Sequence, residues 1–172
     1  MELLEQLFDN APQQVLKRND FLLKAGQMEK HIYRVHAGAV RAFLVTELEE
    51  HTIRFAYAGN LFTSLSTFLR QAPSQLYVQA LRETVVSVVP RDTFLEQIHK
   101  TPGGLVSYCQ ILENLVCEQM EREIDLLTYS PSERLNRVLQ RNPGLFQEVP
   151  FKFIAAYLRM TPETLSRLMG KS

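Results

Sequence analysis

The sequence predicts an α+β chain: an antiparallel jelly-roll, a long helix, and a small helical domain with a helix-turn-helix pair. Three observations carry that expectation. Between Phe21 and Val89, short β-branched and aromatic runs alternate with turn signals, the pattern of a sandwich or barrel of short strands. From Leu105 to Leu127, apolar residues recur at steps of three and four, the period of an amphipathic helix. Beyond residue 128, two proline-marked helix starts follow in turn. The expected divisions are residues 1–102, 103–127 and 128–172.

Residues 1–18 read as a short helix or two of mixed polarity. Strands are expected at Ile32–Val35, Val40–Val45, Thr52–Tyr57, Tyr77–Leu81 and Val85–Val89. The turns between them are marked by Ala25-Gly26-Gln27, Ala37-Gly38, Ala58-Gly59-Asn60 and Ala72-Pro73-Ser74. Pro90 ends the last strand, and Asp92–Lys100 reads as a short helix. Thr101-Pro102-Gly103-Gly104 then punctuates the chain before the long segment.

In that segment the apolar positions are Leu105, Cys109, Leu112, Val116, Met120, Ile124 and Leu127, with Ile111 and Leu115 beside them. The reverse face carries Glu113, Glu118, Glu121, Arg122 and Asp125. Such a helix either packs on its own domain or forms a seam with a second chain. Its length and the width of its stripe favour the seam, built on Leu105, Cys109, Leu112, Val116 and Met120. The heptad spacing lapses after Val116, so no ideal coiled coil is expected.

Ser130-Pro131-Ser132-Glu133 has Ser at N-cap, Pro at the first helical position and Glu two places on, a capping box. That helix runs through Leu135, Val138 and Leu139 and stops before Pro143. Gly144–Val149 forms at most a turn of helix. Phe151–Leu158 is a second helix, and Thr161-Pro162-Glu163-Thr164 opens a third with Thr161 as its cap.

Composition sets the remaining bounds. The chain has 172 residues, 45% of them hydrophobic and 22% charged, ordinary for a globular domain with a real core. No apolar run approaches the roughly 20 residues of a membrane span. The acidic start, MELLEQLFDN, lacks the basic region of a signal peptide. Cys109 and Cys117 lie roughly 12 Å apart along one helix, too far to bridge within a chain. They are expected to be buried thiols of a cytoplasmic protein.

The helix pair near the C-terminus carries the chemistry. Two short helices joined by three or four residues make a helix-turn-helix, and Ala155 is the small residue needed where they cross. Ile154, Leu158, Met160, Leu165 and Leu168 are expected to close its core. Glu163, Ser166 and Arg167 then face outward near the start of the second helix, where base edges of the major groove are read. Arg pairs with guanine, Glu accepts from cytosine, and Ser serves either way. The bland alternative is an ordinary helical hairpin with surface charges. At the tight turn, where Gly is usual, stands Arg159. Either the turn differs, or Arg159 accepts the strain and gains a phosphate contact.

Net charge is zero, yet it divides unevenly. Residues 128–172 hold seven basic and three acidic residues, a net +4, and residues 1–127 hold twelve and sixteen, a net −4. A basic tail on an acidic body is the footprint of a DNA-binding appendage. Thr161, Lys152, Arg159 and Lys171 join Glu163, Ser166 and Arg167 as the expected DNA-contacting set.

These residues resemble the bacterial Crp/Fnr family of transcription regulators, over nearly the whole chain from about Phe21. Lys24-Ala-Gly-Gln and Ile32-Tyr-Arg-Val-His-Ala-Gly-Ala-Val-Arg resemble the early strands and glycine turn of its cyclic-nucleotide-binding-like β-roll. Phe153-Ile-Ala-Ala-Tyr-Leu and Thr161-Pro-Glu-Thr-Leu-Ser-Arg resemble its helix-turn-helix. Glu163, Ser166 and Arg167 match the Glu-x-x-Ser-Arg pattern of the Fnr-type branch. The resemblance implies a homodimer joined through the long helix, with a sensor domain in front. DNA-reading helices lie behind, and the partners expected are a near-palindromic duplex DNA operator and RNA polymerase, with no membrane.

The chain also departs from that family. Members that bind cyclic AMP hold it with a Gly-Glu pair and an Arg-Ser pair. Here Ser64 stands where the Glu belongs, and Ser74 and Gln75 where Arg and Ser belong. A cyclic phosphate would be desolvated against neutral groups alone, so cyclic AMP is not expected to bind and no cofactor is predicted. Ser64, Ser74 and Gln75 remain the candidate effector pocket. Cysteines confined to the long helix do not suit an iron–sulfur cluster. With the sequence ending at Ser172, the family's usual wing hairpin is expected to be missing.

The competing class is an enzyme, a cupin-like metal site using His31, His36 and His51 with a glutamate such as Glu49. Their spacing lacks the close His-x-His pair, and His31 and His36 fall on opposite faces of one strand. No Ser-His-Asp order, glycine-rich phosphate loop or Cys-x-x-Cys is present. A third alternative is a degenerate sensor that dimerises and acts through protein contacts.

Overall fold

A computed structural model describes residues 2–47, 49–128 and 130–170, with backbone only for 2–4. The chain forms two compact units, Met1–Tyr108 and Cys109–Ser172. In the first, helix α1 (Glu2–Asp9) precedes strands β1 (Gln13–Leu16), β2 (Phe21–Leu23), β3 (His31–Ala37), β4 (Ala39–Val45), β5 (Glu50–Tyr57) and β6 (Leu61–Phe62). Helix α2 (Leu65–Arg70), strands β7 (Tyr77–Ala80) and β8 (Thr84–Pro90) and helix α3 (Arg91–Lys100) follow.

The strands form two antiparallel four-stranded sheets, ordered β1-β8-β3-β6 and β2-β7-β4-β5. The chain passes repeatedly from one sheet to the other, as a jelly-roll must. Alternate residues turn inward, so Leu16, Val35 and Val86 of one sheet share a core with Leu23, Val40, Val78 and Ala80 of the other. Tyr33 extends that core, its hydroxyl donating to Glu29 at 3.0 Å. Burial, with the Glu29 charge beside it, pushes the Tyr33 phenol above its ordinary range.

Two expectations change here. Residues 13–16 are a strand, not helix: Gln13–Leu16 pairs with Thr84–Ser87 of β8, and this distant ladder overrides local preference. The segment after Asn60 contains β6 and α2, both unforeseen. β6 is only two residues long and exists through its pairing with Tyr33 and Arg34.

Helix α4 (Gly104–Leu127) begins in the first unit, and from Cys109 onward belongs to the second. With it are α5 (Pro131–Arg141), α6 (Leu145–Glu148), α7 (Phe151–Tyr157) and α8 (Pro162–Met169). Leu135, Val138, Leu145, Val149, Ile154, Ala155, Leu158 and Leu165 form the buried interior of this unit. Met160 and Leu168, expected in that core, are only half-buried at its edge.

The burial of α4 runs opposite to ordinary amphipathic packing. Its polar residues Arg122 and Asp125 are buried, whereas Leu105, Val116, Met120, Ile124 and Leu127 stand exposed, Val116 at 58% and Leu127 at 71%. Leu112, Ile111 and Leu115 are half-buried. Cys109 and Cys117 are also exposed. That corrects the expectation of buried thiols, because both lie toward the uncovered side of α4. Among the described residues, no helix is long and apolar enough to cross a membrane.

Candidate nucleic-acid interface

The helix pair α7–α8 is organised from its caps inward. Thr161 takes an extended conformation before α8, and its Oγ1 accepts from the Thr164 N–H at 3.2 Å. Pro162 occupies the first turn, where a missing N–H costs nothing. The start of α5 is capped likewise, with Ser130 Oγ accepting from the Glu133 N–H at 3.3 Å. Where α7 meets α8, Ala155 is fully buried beside Ile154, Leu158 and Leu165.

The turn needs a left-handed residue, and Arg159 supplies it with φ 55°. Arg159 thus accepts the left-handed conformation that glycine usually takes there. A non-glycine residue there costs about 1–2 kcal/mol. The Met160 N–H bonds the Ala155 carbonyl at 3.1 Å and helps hold the turn.

Glu163, Ser166 and Arg167 are all exposed on α8. Their i, i+3, i+4 spacing sets them on one face. The Arg167 guanidinium reaches Thr164 Oγ1 at 3.5 Å and is otherwise presented outward. The backbone N–H of Glu163 and the Thr161 hydroxyl hold the Glu163 carboxyl below the usual carboxylate range. It therefore stays an anionic acceptor across neutral and mildly acidic pH. Arg167, Thr164, Ser130 and Ser132 also line a shallow depression of about 260 Å³.

Thr161, Lys152 and Arg159 are exposed as well, Lys152 lying with its ammonium 4.7 Å from the Phe153 ring centre. Lys171 lies outside the described residues.

Part of the basic surplus of residues 128–172 is already engaged. Arg137 Nε donates to Asp125 at 2.9 Å and its Nη2 to Glu121 at 2.6 Å. Arg141 donates to Glu121 at 3.3 Å and also pairs with Asp125. The Asp125 hydrogen bond, with Glu121 beyond it, holds the Arg137 guanidinium above its ordinary pKa. Arg134 is buried. Arg122 donates to the Tyr157 carbonyl at 2.6 Å and lies 3.6 Å over its ring centre. Desolvation lowers the Arg122 pKa, against the opposing pull of Tyr157 and Asp125.

Sequence reasoning missed this cluster. The signal was present as an acid pair, Glu121 and Asp125, and a basic pair, Arg137 and Arg141, each spaced i, i+4. Over residues 109–172 the acids of α4 bring the charge to eight basic against eight acidic residues. Among the described residues, the basic character of the interface is therefore local to Lys152, Arg159 and Arg167.

In the jelly-roll, Ser64 and Ser74 are brought together. Ser64 Oγ donates to Ser74 Oγ at 3.1 Å, and both residues are buried. Ser74 Oγ also accepts from the Leu76 N–H at 3.1 Å. Gln75 points to the exposed side instead.

The histidines of the enzyme alternative are apart in function. His31 bonds Glu29 at 3.0 Å, His36 bonds Ser87 at 2.6 Å, and His51 bonds Thr46 at 3.2 Å. Among the described residues, no group of three or more His, Cys, Asp and Glu is placed to hold a metal ion.

Residues 13–101 match the cyclic nucleotide-binding domain family. The chain is 28% identical over 170 residues to the fumarate and nitrate reduction regulatory protein of Yersinia pestis, covering 91% of this chain and 66% of that one. It is 25% identical to the anaerobic regulatory protein of Pasteurella multocida, covering 91% and 61%. It thus spans about two thirds of the length of these curated relatives. In fold it is similar to FixK2 from Bradyrhizobium japonicum, with TM-score 0.80, 19% identity, and 94% and 83% of the two chains covered. The catabolite activator protein of Thermus thermophilus is similar too, with TM-score 0.60, 23% identity, and 99% and 82% covered.

Proposed function

This chain belongs to the Crp/Fnr family of regulators, built on a cyclic nucleotide-binding domain, and from that premise we propose that it is a sequence-specific, DNA-binding transcription regulator acting as a homodimer. The observation that carries this reading is the capped helix α8. It presents Glu163, Ser166 and Arg167 on one exposed face while Leu165 on its other side is fully buried. A helix so held is fit to enter the major groove, with Arg167 directed to guanine and Glu163 to cytosine. The exposed stripe of α4 supports pairing with a second copy. Two recognition helices then address half-sites roughly 34 Å apart on a near-palindromic operator. Such a protein works in the cytoplasm without catalysing a reaction.

Selection of bound duplexes from a random pool, at fixed salt, tests this directly. Enrichment of a two-half-site sequence is expected, and recovery of unenriched DNA would refute the reading. Arg167→Ala should cost about 1–3 kcal/mol on the selected site and relax preference at one base in each half-site. A gel-shift titration across base variants measures both effects. Unchanged specific binding would remove Arg167 from the reading face.

The jelly-roll is a sensor-type domain that does not bind cyclic AMP, with another effector or none. Ser64 and Ser74 bond each other, and Ser74 and Gln75 place a hydroxyl and an amide where the phosphate needs a cation. Calorimetric titration with cyclic AMP should show no saturable heat at micromolar concentrations. Micromolar affinity would overturn this part of the proposal.

A further inference from the structure

We propose that Asp125, with Glu121, Arg137 and Arg141, is a positioning cluster that sets the half-site spacing this protein accepts on DNA; the inference rests on the dimeric DNA-reading function above. Two acids one turn apart on α4 face two arginines one turn apart on α5. Each arginine reaches both acids, Arg137 at 2.9 and 2.6 Å and Arg141 at 3.3 Å to Glu121 as well as to Asp125. Asp125 has no exposed surface. A forked guanidinium bonded to carboxylates tolerates little rotation or sliding, unlike an apolar contact. Taking a carboxylate wholly out of water adds little net stability over an apolar pair, so what the cluster contributes is orientation.

A second grip acts on α7. Arg122 of α4 holds the Tyr157 carbonyl at 2.6 Å and covers its ring at 3.6 Å. Tyr157 is the last residue of α7, just before the Arg159 turn that leads into α8. α4 is thereby tied both to α5 and to the end of α7. In the homodimer α4 is also the element that meets its copy. The separation and phase of the two recognition helices follow from one rigid helix in each chain.

The same contacts make Arg137 and Arg141 structural charges and not phosphate ligands. Their guanidinium donors are directed at α4 carboxylates, so they should add nothing to counterion release on DNA binding.

The test uses the full chain and duplexes carrying two selected half-sites whose spacing is changed by two base pairs in either direction. Wild type should lose about tenfold or more in affinity on each altered duplex, because the second helix is rotated out of phase with its groove. Asp125→Asn and Arg141→Gln should lose less than about threefold, with base preference within a half-site unchanged. Arg141→Lys keeps the charge but loses the fork, so it should broaden the profile as well, though by less than Arg141→Gln. Should Asp125→Asn fail to fold, Glu121→Gln, at a part-exposed side chain, replaces it. Folded variants that keep the wild-type spacing profile would overturn the proposal. So would variants that lose binding at every spacing. A fall of about 0.9 in the salt slope for Arg141→Gln would reassign that residue to a phosphate contact and overturn it too. If wild type itself shows no preference for paired over single half-sites, the dimeric reading fails first, and the cluster's role with it.

Discussion

Val116→Glu is expected to turn the protein into a monomer and to weaken binding to a two-half-site duplex by about 100- to 10,000-fold. Val116 is 58% exposed in the middle of a stripe that runs from Leu105 through Met120 to Leu127. Across a two-fold axis the same residue meets its own copy, so the substitution sets two carboxylates together in a surface that must lose its water. An unpaired buried charge is far more costly than the apolar contact it replaces. Within one chain the side chain already faces outward, so helix content should barely change. Sedimentation equilibrium and a DNA titration on the same sample read both effects. A dimer that survives Val116→Glu would mean that the exposed stripe of α4 does not form the seam.

Gly38→Ala should cost about 3 kcal/mol or more and lower the melting temperature by roughly 6–12 °C. Gly38 joins β3 to β4 with φ +83°, a conformation L side chains rarely adopt. A Cβ there would lie 2.3 Å from the Glu83 carbonyl oxygen and 2.6 Å from Thr84 Cα. Those neighbours are backbone and cannot swing aside. They lie at the entry to β8, where Thr84 Oγ1 accepts the Ala39 N–H at 3.1 Å. Strain and displacement therefore fall on the same crossing between sheets. By contrast, Gly26→Ala bears the positive φ alone, since nothing lies within 4 Å of its Cβ position. Equal losses at the two glycines would show that crowding at Gly38 is relieved by a cheap shift.

How much of this was legible in the sequence depended on how local the cause was. β3, β4, β5, β7 and β8 are close to their expected limits, because period-two patterning and glycine turns are local signals. The starts of α5 and α8 are where Ser130-Pro131 and Thr161-Pro162 put them, since capping is chemistry between near neighbours. β1 was misread and β6 unforeseen for the opposite reason, each being defined by a partner strand distant in the chain. For α4 the periodicity was legible, but which face is covered was not. The covering of Asp125 and Arg122 depends on arginines from α5 and a carbonyl from α7. The tail's charge misled in the same way, because Arg137 and Arg141 count toward +4 in sequence but are matched by acids of the preceding helix.

On the proposed function, two copies of this chain together read one near-palindromic duplex. The most direct test is the mass of the complex formed on a selected operator, followed through a titration at fixed salt, beside a scrambled duplex of equal length. Two chains per operator, bound far more tightly than to the scrambled DNA, is the expected result. One chain per duplex, or equal affinity for both sequences, would contradict it.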